Sequence, residues 1–451
     1  MNTTPIHDRE ILKSLEPLAA ERKLALAVSG GADSVALMSF AHRWQSLTGA
    51  SGTSIVVLTV DHALRAESGR EAAWVGRAAR TLGLEHASLA WAGAKPATGL
   101  QAAARRARYD LLSAYAQAHD IGCLVTAHHL DDQAETLLMR LRRGSGVDGL
   151  AAIPRHGLWA GVRLFRPLLD FPKSRLMASL EAAGASWLED PSNKSQDYER
   201  NRIRQVLDQL EGFGFARDRL ALTARRMRRA QLALDRGAER FLSEAAQLDE
   251  AGFVMLDLAA FRDAPEETVL RGLGRALMAV GGSPEPPRLN KLETLVEALR
   301  GDGARSRTLA GCRIVPEGRR IRLFREPGRD GLPEMSLPPG QLGLWDRRFR
   351  VGSSGGEGPL TVRALGRQGF GELRRQLDIG PAMKSDVASG LASFWRGREL
   401  IAVPHLGYRL GRKDGDIPAP NSCSAEFVNG ALLGPEFGRR FGGEQADRAT
   451  S

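Results

Sequence analysis

Two stretches of the chain place polar residues where an apolar run gives way to a helical pattern. The first is Leu24 to Phe40, LALAVSGGADSVALMSF. Its start predicts a strand over Leu24 to Val28, and Leu37, Phe40, Ala41 and Trp44 then follow the helical period. Between them lies Ser29-Gly30-Gly31-Ala32-Asp33-Ser34. Adjacent glycines let a ligand approach the backbone closely. A helix N-terminus presents free N–H groups to an anion. The predicted chemistry is phosphate binding, with the Asp33 carboxylate beside it. The second stretch runs from the apolar Ile121 to Ala127 into His128-His129-Leu130-Asp131-Asp132-Gln133-Ala134-Glu135-Thr136. Asp132 falls at a helix start, in the same layer as Asp33. Two carboxylates near a triphosphate are the expected partners of Mg²⁺, which prefers carboxylates plus substrate phosphates. The paired histidines lack a third nitrogen or sulfur ligand at suitable spacing, so no zinc site is expected.

Further strands must hold these stretches in register. Ser54 to Val60, SIVVLTV, reads as a buried parallel strand ending in Asp61-His62. Open α/β sheets place ligand groups at the carboxyl ends of such strands, so Asp61 and His62 are expected to border a base or ribose. Glu85 to Ala90 reads as a third strand and Ile121 to Ala127 as a fourth. A lead-in helix is expected over Met1 to Arg22, another over Glu71 to Leu82 and another over Lys173 to Ala183. Leu100, Ala104, Ala107 and Leu111 mark the apolar stripe of one more helix. Arg105 and Arg108, three apart on its other side, are placed to reach phosphate or RNA together. Arg142-Arg143-Gly144-Ser145-Gly146 is a basic glycine loop.

Composition narrows the class. The 451 residues suit two to four domains, and 43% apolar content suits real cores. Cys123, Cys312 and Cys423 are far apart with no CxxC pair, which excludes a clustered zinc site or a local redox pair. Reduced thiols in a cytoplasmic protein are expected. The charged N-terminus and the lack of an 18-residue apolar run argue against secretion or a membrane span. A net charge of +10 favours a polyanionic partner, nucleic acid above all.

Beyond Arg204 the pattern changes. Arg217 to Arg236 is helical and arginine-rich. A small α/β unit follows over Phe253 to Arg325, with helices Pro265 to Val280 and Leu289 to Leu299. It ends in a hairpin of Ser306 to Val315 and Arg319 to Phe324. Arg329 to Gly358 is rich in Pro, Gly and Ser and reads as a linker with some strand. Leu360 to Tyr408 forms a last unit with a helix over Gly371 to Leu377, and the tail after about Gly442 is expected to be disordered. The expected architecture is α/β: an open parallel sheet with helices on both faces, then a helical connector and two small α+β domains. Its boundaries are 1–212 for the catalytic domain, 213–327 for the connector and middle domain, 328–358 for the linker, 359–440 for the C-terminal domain and 441–451 for the tail.

The glycine loop is neither the three-glycine dinucleotide fingerprint nor a Walker A loop, which needs a Lys after its last glycine. SGGxDS resembles the pyrophosphate-binding loop of the N-type ATP pyrophosphatases, a superfamily with an adenine-nucleotide α-hydrolase-like fold. SGGADS, VDHALR, AARRARYD, TAHHLDDQAETLLMRLRRGSG, FRPLL, and DPSN followed by RNRIR occur in this order between Leu24 and Arg204. Together they resemble the bacterial tRNA(Ile)-lysidine synthetases. Ala63 stands where many relatives have glycine.

That resemblance implies an ATP- and Mg²⁺-dependent ligase. Such an enzyme adenylates C2 of the wobble cytidine in a tRNA(Ile) with anticodon CAU and joins the ε-amine of free L-lysine to it. The product, lysidine, changes codon specificity from AUG to AUA. By resemblance, Ser29 to Ser34 hold the ATP phosphates with Asp33 near the metal, and Asp61 and His62 border the nucleotide. Arg108 bridges phosphate or the target base, and Asp132 holds Mg²⁺ or lysine with Glu135 as its neighbour. Asp33, Asp132 and Arg108 are thus the expected catalytic set. Arg105, Arg143, Arg200, Asn201 and Arg202 face RNA or the adenylate. The two later domains are expected to bind tRNA, and a homodimer is common in the family. The rival enzyme, a tRNA thiolase, needs a relay cysteine or a cluster, yet Cys123 falls in a predicted buried strand. A noncatalytic RNA-binding protein would not need the complete SGGxDS loop and Asp132.

Overall fold

The computed structural model describes residues 3–49, 52–63, 68–93, 95–96, 98–189, 199–301, 303–355, 358–380, 383–411 and 423–437. Leu64 and Arg65 of VDHALR, the DPSN run at 190–193 and the tail at 441–451 lie outside the described residues. The chain divides into two compact units, Met1–Gln231 and Leu232–Ser451.

The first unit is built from α1 (Asp8–Leu15), β1 (Lys23–Ala27), α2 (Ala32–Thr48), β2 (Ser54–Asp61), α3 (Ser68–Thr81), β3 (Glu85–Ala90), α4 (Leu100–Ala118), β4 (Cys123–Thr126), α5 (Leu130–Arg142), α6 (Val147–Leu150), β5 (His156–Trp159), β6 (Val162–Phe165), α7 (Lys173–Ala182), α8 (Glu199–Glu211) and the start of α9 (Arg217–Ala245). The expected lead-in helix is only α1, because the chain re-forms as a short turn around Pro17. The sheet runs β3-β2-β1-β4-β6-β5. Strands β1, β2, β3, β4 and β6 are parallel. β5 adds an antiparallel edge, joined to β6 through Ala160 and Gly161 at φ +46° and +80°, the left-handed backbone a two-residue hairpin needs.

Alternate residues of the central strands enter opposite layers, as the pleat requires. Leu24, Leu26, Ile55, Val57 and Val125 pack with α1, α2, α3 and α7 on one face. Ala25, Ala27, Val56, Leu58 and Leu124 pack with α4 on the other. The buried face of α4 is not the predicted stripe. It consists of Tyr109, Leu112, Ser113 and Ala116, while Leu100 is exposed. Alanines at 104 and 107 carry little area, and the Tyr109 ring decides which side turns inward. β1 has β2 on one side and β4 on the other, so the strand order reverses beside it. Open α/β sheets place ligands at such a point, outside the carboxyl ends of the strands.

The second unit contains the rest of α9, then β7 (Ala246–Leu248), β8 (Val254–Asp257), α10 (Leu258–Asp263), α11 (Glu266–Gly281), α12 (Leu289–Arg300), β9 (Arg307–Leu309), β10 (Cys312–Glu317), β11 (Arg320–Arg325), β12 (Met335–Leu337), β13 (Leu342–Trp345), β14 (Phe349–Ser353), β15 (Leu360–Ala364), α13 (Gly366–Leu373), α14 (Ser385–Ala388), β16 (Ala392–Arg396), β17 (Glu399–Val403), β18 (Tyr408–Arg409) and β19 (Cys423–Phe427). Three sheets form, β7-β8-β11-β10-β9, β12-β15-β16-β17-β18 and β13-β14-β19. The stretch read as a linker carries β12 to β14, and Trp345 and Phe349 from it share a core with Leu273, Ile314 and Phe394. Ser306 to Val315, read as one strand, is split by a left-handed turn at Ala310-Gly311. The helix placed at Gly371 to Leu377 starts earlier, as α13. Asp346 accepts from Arg325 at 2.9 and 3.0 Å and from the buried Arg348 at 2.7 Å.

All three cysteines are free. Burial pushes the Cys123 thiol up to about 11 and the Cys312 thiol up to about 12. Cys423 is half-buried and its thiol is also raised by burial. Among the described residues no helix is long and apolar enough to cross a membrane.

Candidate active site

Strand β1 delivers the chain into the glycine turn, and α2 carries it out. Gly31 is the N-cap of α2 and Gly30 sits at φ +90°. The Ser34 hydroxyl folds back, accepting from the Ser29 amide at 3.2 Å and donating to Gly31 O at 2.9 Å. Helical backbone bonding starts at the Ser34 and Val35 amides, which donate to Gly31 O. The amides of Gly31, Ala32 and Asp33 find no backbone acceptor among the described residues. They form a positive cradle at the mouth of a helix. The Leu188 amide donates to Gly30 O at 2.9 Å, so the segment around Leu188 crosses the turn.

Strand β4 delivers the second stretch. Asp132 lies in the first turn of α5 and accepts from the His129 amide at 3.0 Å, a reciprocal cap. The His129 ring reaches Asp33 at 3.4 Å and Asp132 at 3.7 Å, so one imidazole joins the two acids. The ring is 2% exposed. Burial works against its charge, but Asp132 and Asp33 outweigh burial and push its pKa up to about 9. Burial likewise opposes ionisation of Asp132, yet the charges of His129 and Arg200 hold that carboxyl at about 2. Asp33 is held below the usual range against burial by the His129 hydrogen bond and by Lys173, whose Nζ stands 3.3 Å away. Asp131 faces elsewhere, accepting from the first amide of α7 at 3.3 Å.

Helix α8 closes the acidic side. Arg200 donates to Asp132 at 2.6 Å and also to Glu135. Arg204 donates to Glu135 at 2.6 Å and to Asn201 at 3.3 Å. Glu135 is 3% exposed and shared by two guanidiniums. Arg202 points to solvent. Arg143 and Arg142 both pair with Glu199, Arg143 at 2.8 Å.

The opposite side of the crevice is basic. The Asp61 carboxyl, at the end of β2, is lowered by the Ser68 hydroxyl and the Ala63 amide, the latter donating at 2.8 Å. The His62 ring lies edge-on to Trp91 at 6.0 Å. Burial and the charge of Arg108 lower its pKa against the pull of Asp61. Arg105 lies over the Tyr109 ring at 5.2 Å. The His128 Nδ1 pairs with the Thr126 hydroxyl at 2.9 Å. Against the pull of Asp132, burial and the charges of Arg166, Arg105 and Arg108 push its pKa down to about 3. Adjacent histidines thus sit in opposite fields.

A family model described as a PP-loop domain matches residues 3–210. A tRNA(Ile)-lysidine synthase of Ruegeria pomeroyi is 40% identical over 394 residues, 86% of this chain and 90% of that one. One of Bradyrhizobium diazoefficiens is 43% identical over 351 residues, 73% of this chain and 96% of that one. One of Wolbachia pipientis wMel is 34% identical over 390 residues, 86% of this chain and 89% of that one. The chain belongs to the tRNA(Ile)-lysidine synthase family.

Against the family pattern, Ala63 takes φ +48°, a conformation for which glycine pays least. The fold brings Asp33, Asp132, Glu135, Arg200 and Asn201 together, and Asp61, His62, Arg105 and Arg108 form the other side. Arg202 and Arg143 lie on the exposed rim. Sequence reasoning missed Lys173 on Asp33, Arg204 on Glu135 and the buried Arg166. Each comes from a distant element, and only the positions of Arg166 in FRPLL and Arg204 in RNRIR marked them. A Mg²⁺ ion fits the acidic side. Asp33 Oδ1 is buried with no hydrogen-bond partner, whereas both Asp132 oxygens are engaged by Arg200 and His129. No group of three or more metal-binding side chains forms among the described residues.

Proposed function

We propose that this chain adenylates C2 of the wobble cytidine of a CAU-anticodon tRNA(Ile) with ATP and then joins the ε-amine of free lysine to that carbon, releasing AMP. The observation that carries the reading is the arrangement at the ends of β1 and β4. A glycine cradle for phosphate adjoins two carboxylates joined by His129, and a basic wall faces them. The cytoplasm, where ATP and tRNA meet, is the expected compartment.

Oxide is a poor leaving group from C2, and a phosphoester at that oxygen makes AMP the leaving group instead. In this reading the amides of Gly31, Ala32 and Asp33, with Ser29 and Ser34, hold the departing pyrophosphate. Asp33 would hold Mg²⁺, which would supply positive charge to the phosphates, and Asp132 would hold either that ion or the lysine. Asp61 and His62 border the adenosine. Arg108 faces the α-phosphate or the base.

Lysine poses the harder step. Its amine titrates near 10.4, so freeing it at neutral pH costs on the order of 4–5 kcal/mol. Asp132 and Glu135 form a buried acidic pair suited to an ammonium group, and Arg200 and Arg204 now fill it. A carboxylate both positions the ammonium and raises its pKa, so burial has to offset that to let the proton leave. In this reading Arg202, on the exposed rim, faces the RNA, and the second unit supplies further tRNA contacts. The test is mass analysis of an unmodified CAU-anticodon transcript after incubation with the protein, ATP, Mg²⁺ and lysine. A gain of one lysine less water at the wobble cytidine is expected. An unchanged transcript from a folded protein sinks the reading.

A further inference from the structure

The cations of the acidic side each face a carboxylate, and among the described residues Arg105, Arg108 and Arg166 of the basic side do not. Arg166 follows β6 and is 6% exposed. Its Nη1 donates to Pro154 O at 2.8 Å, and the Tyr109 phenol is its other polar neighbour. Its Nε is buried with no acceptor. Arg105 rests on the face of the same Tyr109 ring, and Arg108 precedes that tyrosine in α4. The charges of Arg105, Arg108 and Arg166 all act on His128, so the three guanidiniums lie within electrostatic reach of the end of β4. Among the described residues none of the three forms an ion pair with a carboxylate.

Burying a guanidinium without a counter-charge is costly. Three together repel one another, and burial and Arg105 lower the pKa of both Arg108 and Arg166. A structural arginine is normally given an acid, as Arg348 is given Asp346. The orphaned Nε, and the lack of a carboxylate beside it among the described residues, suit an anionic ligand. Planar guanidiniums match phosphate with paired hydrogen bonds. We propose that Arg166 is a binding residue, and that it joins Arg105 and Arg108 in a second phosphate pocket, beside His128 and apart from the glycine turn. The inference rests on the function proposed above, and the phosphate is either a phosphodiester of the target tRNA or that of the adenylate. His128 is neutral there and offers a hydrogen bond rather than further charge.

The test compares wild type with Arg166→Gln, using ATP, Mg²⁺, lysine and an unmodified CAU-anticodon transcript. Retention of the transcript is measured from about 50 to 200 mM KCl, and the KM for ATP from pyrophosphate release at saturating transcript. A rise of about tenfold in the transcript Kd, with a log–log salt slope shallower by about 0.9, assigns the phosphate to RNA. A rise of about tenfold in the KM for ATP, with retention unchanged, assigns it to the nucleotide. Both outcomes support the pocket. A folded Arg166→Gln protein within about twofold of wild type in both overturns it, because a purely structural arginine would move the melting point and neither constant. If Arg166→Gln melts more than about 10 °C lower, Arg105→Gln at the exposed end of the pocket takes its place under the same thresholds, and its indifference overturns the proposal. Lysine incorporation by wild type separates the two readings. Incorporation with indifferent variants removes the pocket alone, and no incorporation removes the function on which it rests.

Discussion

Asp33 and Asp132 share one imidazole but answer to different surroundings, and substitution should separate them. Asp33 keeps a free buried oxygen. Asp33→Asn is expected to lower tRNA-dependent pyrophosphate release by roughly a hundredfold or more while leaving transcript retention intact. Release at the wild-type rate would remove Asp33 from the reaction. Asp132 compensates the buried His129 ring and the half-buried Arg200. Asp132→Ala should therefore also lose about 3 kcal/mol of stability in denaturant unfolding. Gly30 makes a third case. A Cβ there would meet Leu188 Cδ1 at 2.8 Å, at φ +90°. Gly30→Ala should cost about 1–2 kcal/mol and disturb the phosphate cradle, read as a higher KM for ATP. The basic side was half-legible at this scale. Arg105 and Arg108 stand out by their spacing, whereas Arg166 looks like one arginine among many until its missing partner is seen.

Among the elements, the glycine turn and the β4–α5 junction were readable because strand, turn and helix follow one another directly in sequence. The arms reaching into them were not. Lys173 meets Asp33 across 140 residues and Arg204 meets Glu135 across 69. Those approaches are set by Leu176 and Leu180 under α7 and by Ile203 and Leu207 under α8, contacts no local pattern encodes. Glycine and proline around 329–358 likewise let only some strand be read where three short strands form, and hid that Trp345 and Phe349 are core. Helix α1 offers a pH test. Arg175 donates to Glu10 at 2.7 and 2.9 Å, and that hydrogen bond, against burial, lowers the carboxyl from 4.5 to about 2. The folded pKa is depressed, so this stabilisation is present above the unfolded value and is lost as pH falls from about 4.5 to 2. Solvent screening keeps it near ~0.5 kcal/mol. Glu10→Gln should melt slightly below wild type at pH 6 and converge with it near pH 2. A gap that persists in acid would mean that the pair adds nothing.

For the molecule as a whole, the charge of +10 sets the conditions under which it meets its substrate. Transcript retention should fall about a thousandfold or more between 50 and 200 mM salt if many phosphates are contacted. A flat titration would confine RNA binding to a few groups around the site. The two units have separate cores, which gives a local defect a local address. Gly281 lies against Ala310 O, where a Cβ would stand at 2.2 Å, so Gly281→Ala should destabilise the second unit by about 3 kcal/mol and shift only one transition in a melt. The cysteines bear on how such experiments can be run. Two thiols are sealed in cores and held protonated, and Cys423, in β19 of the second unit, retains partial access to solvent. A maleimide dye should therefore attach at Cys423 first, giving a natural single-label handle for following the second unit by fluorescence while the catalytic residues of the first stay untouched.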